Sequence, residues 1–258
     1  MASLNISHRP NDFDEIIGNK KSVSLLKSIL SREKERIPHA FLMYGDTGCG
    51  KTTLARIIAS KLGCSGSSNN TDFVELDIAH FTGVDTARDI RAMMKYAPMH
   101  SKCRVWVLDE FHKASTSCQS AMLKALEDAP DHCYFVLCTT DPQKLLKTIK
   151  DRCSSFKVSL LTDNEIVELV SIVSSKENID IPEKVKQKIA EEAQGCPRQA
   201  LMTLDQILDV PVKDMLSFVK NDDVVRSKEV RDLCQSLLKG YSWKDISVVL
   251  KALKGVDP

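Results

Sequence analysis

No run of apolar residues approaches the roughly 20 needed to cross a bilayer, and the N-terminus lacks the apolar core of a secretion signal. The expectation is a soluble, intracellular, cytoplasmic protein with no membrane contact. Net charge is nearly absent as well. The 36 basic and 35 acidic residues leave +1, which excludes a bulk polycation, so any nucleic-acid contact must come from a local basic patch. Paired cysteine spacing is missing. The nine cysteines are odd in number and contain no C-x-x-C, which speaks against a zinc ribbon and a disulfide framework. Cys133 and Cys138 flank an apolar run and read as small buried hydrophobes. The six histidines form no H-E-x-x-H cluster and read as ordinary polar residues. No internal repeat is present.

What the chain does have is Gly45-Asp46-Thr47-Gly48-Cys49-Gly50-Lys51-Thr52, an unbroken G-x-x-x-x-G-K-[ST]. Each residue type has a separate task. The glycines let the backbone curl until several N–H groups aim at one anion. Lys51 brings a positive charge to the outer phosphates, and the Thr52 hydroxyl is a hard oxygen ligand for Mg²⁺. The context agrees. Ala40-Phe41-Leu42-Met43-Tyr44 has strand length, and the segment from Thr53 to Leu62 has helical period. A helix N-terminus is itself an anion site.

Residues 1–160 alternate short apolar runs with helical patterns. The runs are Ala40–Tyr44, Asp72–Asp77, Arg104–Asp109, Tyr134–Thr139 and Ser155–Val158, which together imply an α/β fold with a parallel sheet and helices on both faces. Ligands then sit at the carboxyl ends of the strands, where both the glycine loop and Asp109 fall. Residues 63–70 form a small polar stretch, expected to be a loop. Strand signals stop near Leu161. Thr162-Asp163-Asn164-Glu165 is a capping box. Pro182 can be the first residue of the next helix, and Pro197 opens another through Leu201, Leu204 and Leu208. Residues 161–222 therefore read as a small all-α domain. Residues 223–258 carry further helical patterns from Lys228 to Lys254, too few for an independent core.

Asp109-Glu110 closes an apolar strand. With the glycine loop upstream, Asp109 reads as an Mg²⁺ ligand and Glu110 as the group that polarises an attacking water. Thr139-Thr140 ends the following run, where a hydroxyl can meet a γ-phosphate or the water; alone it would be a turn. Arg152 has no spacing that brings it to the nucleotide of Lys51, so residue pattern alone makes it a surface arginine. Arg198 stands at a helix start against the helix dipole, which suggests placement for a ligand. Arg88, Arg91 and Lys95 fall on one helical face, with Ile90, Met93 and Met94 on the other. That stripe is either a phosphate contact or a solvated face.

Together these residues resemble the ATPase subunits of sliding-clamp loaders in the AAA+ superfamily, such as the bacterial DNA polymerase III gamma/tau subunits and the replication factor C small subunits. The resemblance covers about residues 8–210. Arg9-Pro10, Phe13 and Ile16-Ile17-Gly18 are similar to the segment that packs around adenine in that family. His39-Ala40-Phe41-Leu42, Asp109-Glu110-Phe111-His112-Lys113, Met122–Glu127 and Thr139–Leu145 match its successive motifs, and Asp151-Arg152-Cys153 resembles its Ser-Arg-Cys box. The resemblance implies ATP and Mg²⁺ as cofactors. The nucleotide site would comprise residues 45–53, named above, with Thr53, Arg9, Pro10, Ile17 and Arg198, and the metal site Thr52 and Asp109. The catalytic set would be Glu110, Lys51, Thr140, Arg198 and Arg152. Thr140 aligns better than Thr139 with the sensor position, Arg198 matches the lid's sensor arginine, and Arg152 becomes a finger acting on a neighbour's ATP.

The implied partners are other clamp-loader subunits in a pentamer-like oligomer, a sliding clamp, and primer–template DNA. Arg88, Arg91 and Lys95 are the DNA candidates, and Met94, Tyr96, Pro98 and Met99 resemble the surface that rests on the clamp. Two departures stand out. Bacterial gamma/tau subunits carry a four-cysteine zinc module where this chain has Cys64 and a Ser/Asn stretch, so no zinc is expected. The helical collar is only begun, so either the chain is a fragment or its assembly differs. The rival readings are another AAA+ DNA motor or initiator, and a nucleotide-binding scaffold with little turnover.

Overall fold

The computed structural model describes residues 3–64 and 71–219. The C-terminal segment expected over 223–258 lies outside these residues, as does most of the 63–70 loop. Five parallel strands form one sheet: β1 Ala40–Tyr44, β2 Phe73–Asp77, β3 Arg104–Asp109, β4 Cys133–Thr139 and β5 Ser154–Lys157, in the order β2-β3-β4-β1-β5. Around and between them run α1 Leu4–Ser7, α2 Lys20–Leu30, α3 Lys51–Lys61, α4 Val84–Met93, α5 Thr116–Glu127 and α6 Lys147–Asp151. All seven residues of β4 are buried, as are the first five of β3, because both faces of a central strand are covered. Edge strand β2 instead keeps Glu75 and Asp77 exposed.

The two-residue period sorts the strands onto two cores. Phe41, Met43, Val105, Val107, Val136 and Cys138 pack against α2 and α3, while Leu42, Trp106, Leu108, Phe135 and Leu137 meet α4, α5 and α6. Trp106 stacks on Phe135 with ring centroids 5.1 Å apart. Cys133 and Cys138 are buried as expected. Because β1 lies between β4 and β5 but feeds β2, the chain leaves the sheet in opposite directions beside β1. That switch point opens a crevice at the strand ends.

A third core belongs to α7 Asp163–Lys176, α8 Glu183–Ala193, α9 Pro197–Ile207 and α10 Val212–Val219. The capping box at Thr162 forms: its hydroxyl accepts the Glu165 N–H, and the Glu165 carboxylate accepts the Thr162 N–H at 2.9 Å. Pro182 caps α8 rather than starting it, with the extended backbone (ψ 142°) of an N-cap. Leu4 of α1 is buried in this helical core, and His8 pairs with Glu177 at the end of α7. The N-terminal segment is thus packed on the helical unit, across the crevice from the sheet.

Candidate nucleotide-binding site

The loop after β1 holds its shape through two glycines at positive φ, where a side chain would be strained. At Gly45 (φ +155°) a Cβ would stand 1.9 Å from the Val158 carbonyl oxygen; at Gly48 (φ +73°) it would stand 2.6 Å from Cys196 Sγ. The loop delivers the chain into α3, whose first turn contains no acidic residue to compete for its free N–H groups. Lys51 is 6% exposed, and its ammonium donates to the carbonyls of Gly45 (3.0 Å) and Asp46 (2.8 Å). Its charge is therefore held over the loop.

Asp109 ends β3 on the face that carries α3. The Thr52 hydroxyl donates to its Oδ2 at 2.7 Å, and the Glu110 N–H donates to its Oδ1 at 2.9 Å. Two hard oxygens on neighbouring elements, beside the anion loop, suit a small divalent cation. Glu110 is left-handed (φ +50°), which turns the chain off the strand. Its Oε2 lies 3.5 Å from both His112 Nε2 and Lys113 Nζ.

The end of β4 separates the two threonines. Thr139 is fully buried, with Oγ1 3.2 Å from His112 Nδ1 and accepting the Asp141 N–H at 3.1 Å. Cys138, one residue earlier, faces α3, Thr139 turns to the opposite face, and Thr140 lies past the end of β4.

A cavity of about 510 Å³ lies between the loop and the helical unit. Of the residues expected at the nucleotide, Arg9, Pro10, Ile17, Thr47 to Thr53, Asp109, Glu110 and Arg198 line it, whereas Gly45, Asp46 and Thr140 do not. The helical unit touches the loop directly, since the Cys196 thiol donates to the Thr47 carbonyl at 3.7 Å. Charges of both signs meet here, Arg9, Lys51 and Arg198 with Glu15, Asp77, Asp109 and Glu110. Burial lowers the Arg9 pKa, the nearby Arg56 and Arg198 charges lower it further, and Glu75 and Asp109 offset part of this. Arg56 makes a bidentate pair with Glu75 at 2.7 and 2.8 Å. Sequence reasoning passed over Arg56, although it stands four residues after Thr52 on the same helical face.

Arg152 does not reach this cavity. It pairs with Glu127, the last residue of α5, and donates to the Thr148 carbonyl at 2.9 Å. The basic stripe also changes on folding. α4 ends at Met93, so Lys95 lies beyond the helix rather than in register with Arg88 and Arg91, and Arg88 pairs with Asp85 at 2.8 Å. The apolar side is corrected too. Met94 is buried (5% exposed), whereas Met93, Tyr96 (69%) and Met99 (76%) are exposed.

The segment bearing Tyr96 and Met99 is pinned by Asp72, whose buried carboxylate accepts the N–H groups of Met99, His100 and Ser101 and pairs with Arg104 at 3.1 Å. Burial pushes the Asp72 pKa up, but these N–H donors and Arg104 outweigh it and hold the carboxyl below the usual range.

Residues 41–160 match the ATPase family associated with various cellular activities (AAA). Over 260 residues the chain is 34% identical to the DNA polymerase III subunit gamma of Buchnera aphidicola from Acyrthosiphon pisum, covering 94% of this chain and 69% of that protein. It is 34% identical to the DNA polymerase III subunit tau of Bacillus subtilis over 217 residues, 78% of this chain but 38% of that one. The chain thus spans well under half of the longer curated relatives. The fold is similar to that of the RuvB Holliday junction branch migration motor of Thermotoga maritima, with a TM-score of 0.69, 21% identity and coverage of 96% and 86%.

Proposed function

We propose, for a chain that belongs to the DNA polymerase III gamma/tau family of AAA ATPases, that it is the ATP-hydrolysing subunit of a clamp loader, opening a sliding clamp and placing it on primer–template DNA. The observation that supports this most is the Thr52–Asp109 bond at the foot of the phosphate loop, with Lys51 and Glu110 at the same cavity. A scaffold with a dead site would have no need to keep all four.

In this reading the adenine lies against Arg9, Pro10 and Ile17, and the phosphates lie along residues 45–53. The Lys51 ammonium exchanges its two loop carbonyls for phosphate oxygens, a charge-assisted gain over neutral acceptors. Mg²⁺, held by Thr52 and Asp109, supplies neutralisation of the β- and γ-phosphate charge. Glu110 orients and polarises the attacking water, and Thr140 hydrogen-bonds at the γ-phosphate. Arg198 comes from the helical unit, so phosphate contact ties lid position to nucleotide state. Arg152 acts on a neighbouring subunit's ATP, in keeping with its place outside its own cavity. Arg88, Arg91 and Lys95 meet DNA phosphates, and Tyr96 and Met99 rest on the clamp.

Steady-state ATPase of the native assembly, with and without primer–template DNA and the matching clamp, tests this. DNA plus clamp is expected to raise the wild-type rate, and Glu110→Gln to abolish the rise. An assembled wild type that hydrolyses ATP but ignores the clamp would mean a different AAA+ machine.

A further inference from the structure

We propose that His112 is a positioning residue for Glu110, holding the carboxylate in register with the phosphate loop; this rests on the reading of Glu110 as the group that polarises water. His112 is nearly enclosed, with a side-chain exposure of 9%, and lies between two partners. Its Nδ1 is 3.2 Å from Thr139 Oγ1, and its Nε2 is 3.5 Å from Glu110 Oε2. The latter is the looser spacing that catalytic pairs show before ligand tightens them.

The Glu110 carboxylate favours one tautomer. His112 Nε2 faces that carboxylate, so a proton on Nε2 is the favourable arrangement, and the opposite tautomer would set a lone pair against a carboxylate. A neutral ring protonated there accepts the Thr139 hydroxyl hydrogen at Nδ1, while Thr139 Oγ1 also accepts the Asp141 N–H at 3.1 Å. Thr139 also links the arrangement to the loop, because its carbonyl accepts the Gly45 N–H at 3.2 Å. One buried residue therefore seats both the first glycine of the phosphate loop and the ring that faces Glu110.

Glu110 needs such a partner. It has turned off the strand into a left-handed conformation, and a Glu side chain has rotamer freedom to lose before it can hold a water in line. Lys113 lies at the same 3.5 Å but is far more exposed (48%), so solvent weakens its hold.

The two amide replacements separate the roles of the ring nitrogens. Gln places its side-chain nitrogen near the position of Nε2, and Asn places its own near Nδ1. In the native assembly with clamp and DNA, His112→Ala is expected to lower kcat about 10- to 100-fold, the scale of a lost hydrogen bond to a charged group. Binding of a fluorescent ADP analogue should stay within about twofold. His112→Gln should recover most of the rate and His112→Asn little. His112→Ala should add no further loss to Glu110→Gln, because the ring acts only through that carboxylate.

Recovery by Asn and not by Gln would make His112 merely a seat for Thr139 and overturn the proposal, as would a His112→Ala variant with the wild-type kcat. If Glu110→Gln itself retained the wild-type rate, the reading of Glu110 would be what failed, and the proposal would fall with it.

Discussion

The cavity under the phosphate loop and the edge that carries Arg152 are built from the same sheet, yet they are complete to different degrees. In the cavity, residues from one chain converge: Lys51 on its own loop, Thr52 on Asp109, Arg198 across from the helical unit. At the edge, Arg152 is held by Glu127 and a backbone carbonyl and is not among the residues that line the cavity. The first region can bind by itself. Under the proposed function the second would act only when another subunit supplies the ATP, and turnover would then report assembly.

The largest expected effect breaks that comparison in two directions. Lys51→Ala should abolish nucleotide binding by the isolated chain, whereas Arg152→Ala should bind normally. In the assembly Arg152→Ala should lose hydrolysis by about 10³-fold or more, the scale of an arginine finger. Titration with a fluorescent nucleotide and steady-state ATPase read the two arms. An Arg152→Ala chain that binds poorly by itself would place the residue in its own site.

An intermediate effect concerns a third place, the buried Asp72–Arg104 pair. Asp72→Asn leaves Arg104 without its counter-charge and should cost about 3–5 kcal/mol in a denaturation experiment, with clamp affinity falling while nucleotide affinity holds. Because the folded-state pKa of Asp72 is lowered, its contribution is full above the ordinary value of 3.8 and is lost as pH falls below it. Acid stability of wild type and Asp72→Asn should therefore converge below that pH.

The smallest effect is Glu127→Gln. Arg152 and Glu127 are partly exposed, so thermal stability should change by no more than about 1 kcal/mol. A large loss would mean that the pair is structural and not merely a resting place for Arg152.

Much of the sheet was legible beforehand. All five strand signals lie within one residue of the observed bounds, since a strand in a covered sheet writes itself as a short apolar run. The fifth, 155–158, is displaced by one residue at each end, because a short edge strand is bounded by pairing with β1 rather than by its own pattern. Met93 and Met94 were read together as apolar-face residues, but adjacent helical positions point about 100° apart, and only Met94 turns inward. His112 passed as an ordinary polar residue because Thr139, which holds its Nδ1, lies 27 residues away at the end of β4.

The sequence by itself determined the phosphate loop, the acidic strand end and the capped helical unit. Each depends on residues a few positions apart, where backbone geometry fixes who meets whom. Only the tertiary structure decided that Thr139 is committed to His112, that Arg152 turns away from its own cavity, and that α1 joins the lid core. Those outcomes follow from strand order and from which helix covers which face. Local periodicity carries neither, because both are settled by competition among distant segments for the same buried surface.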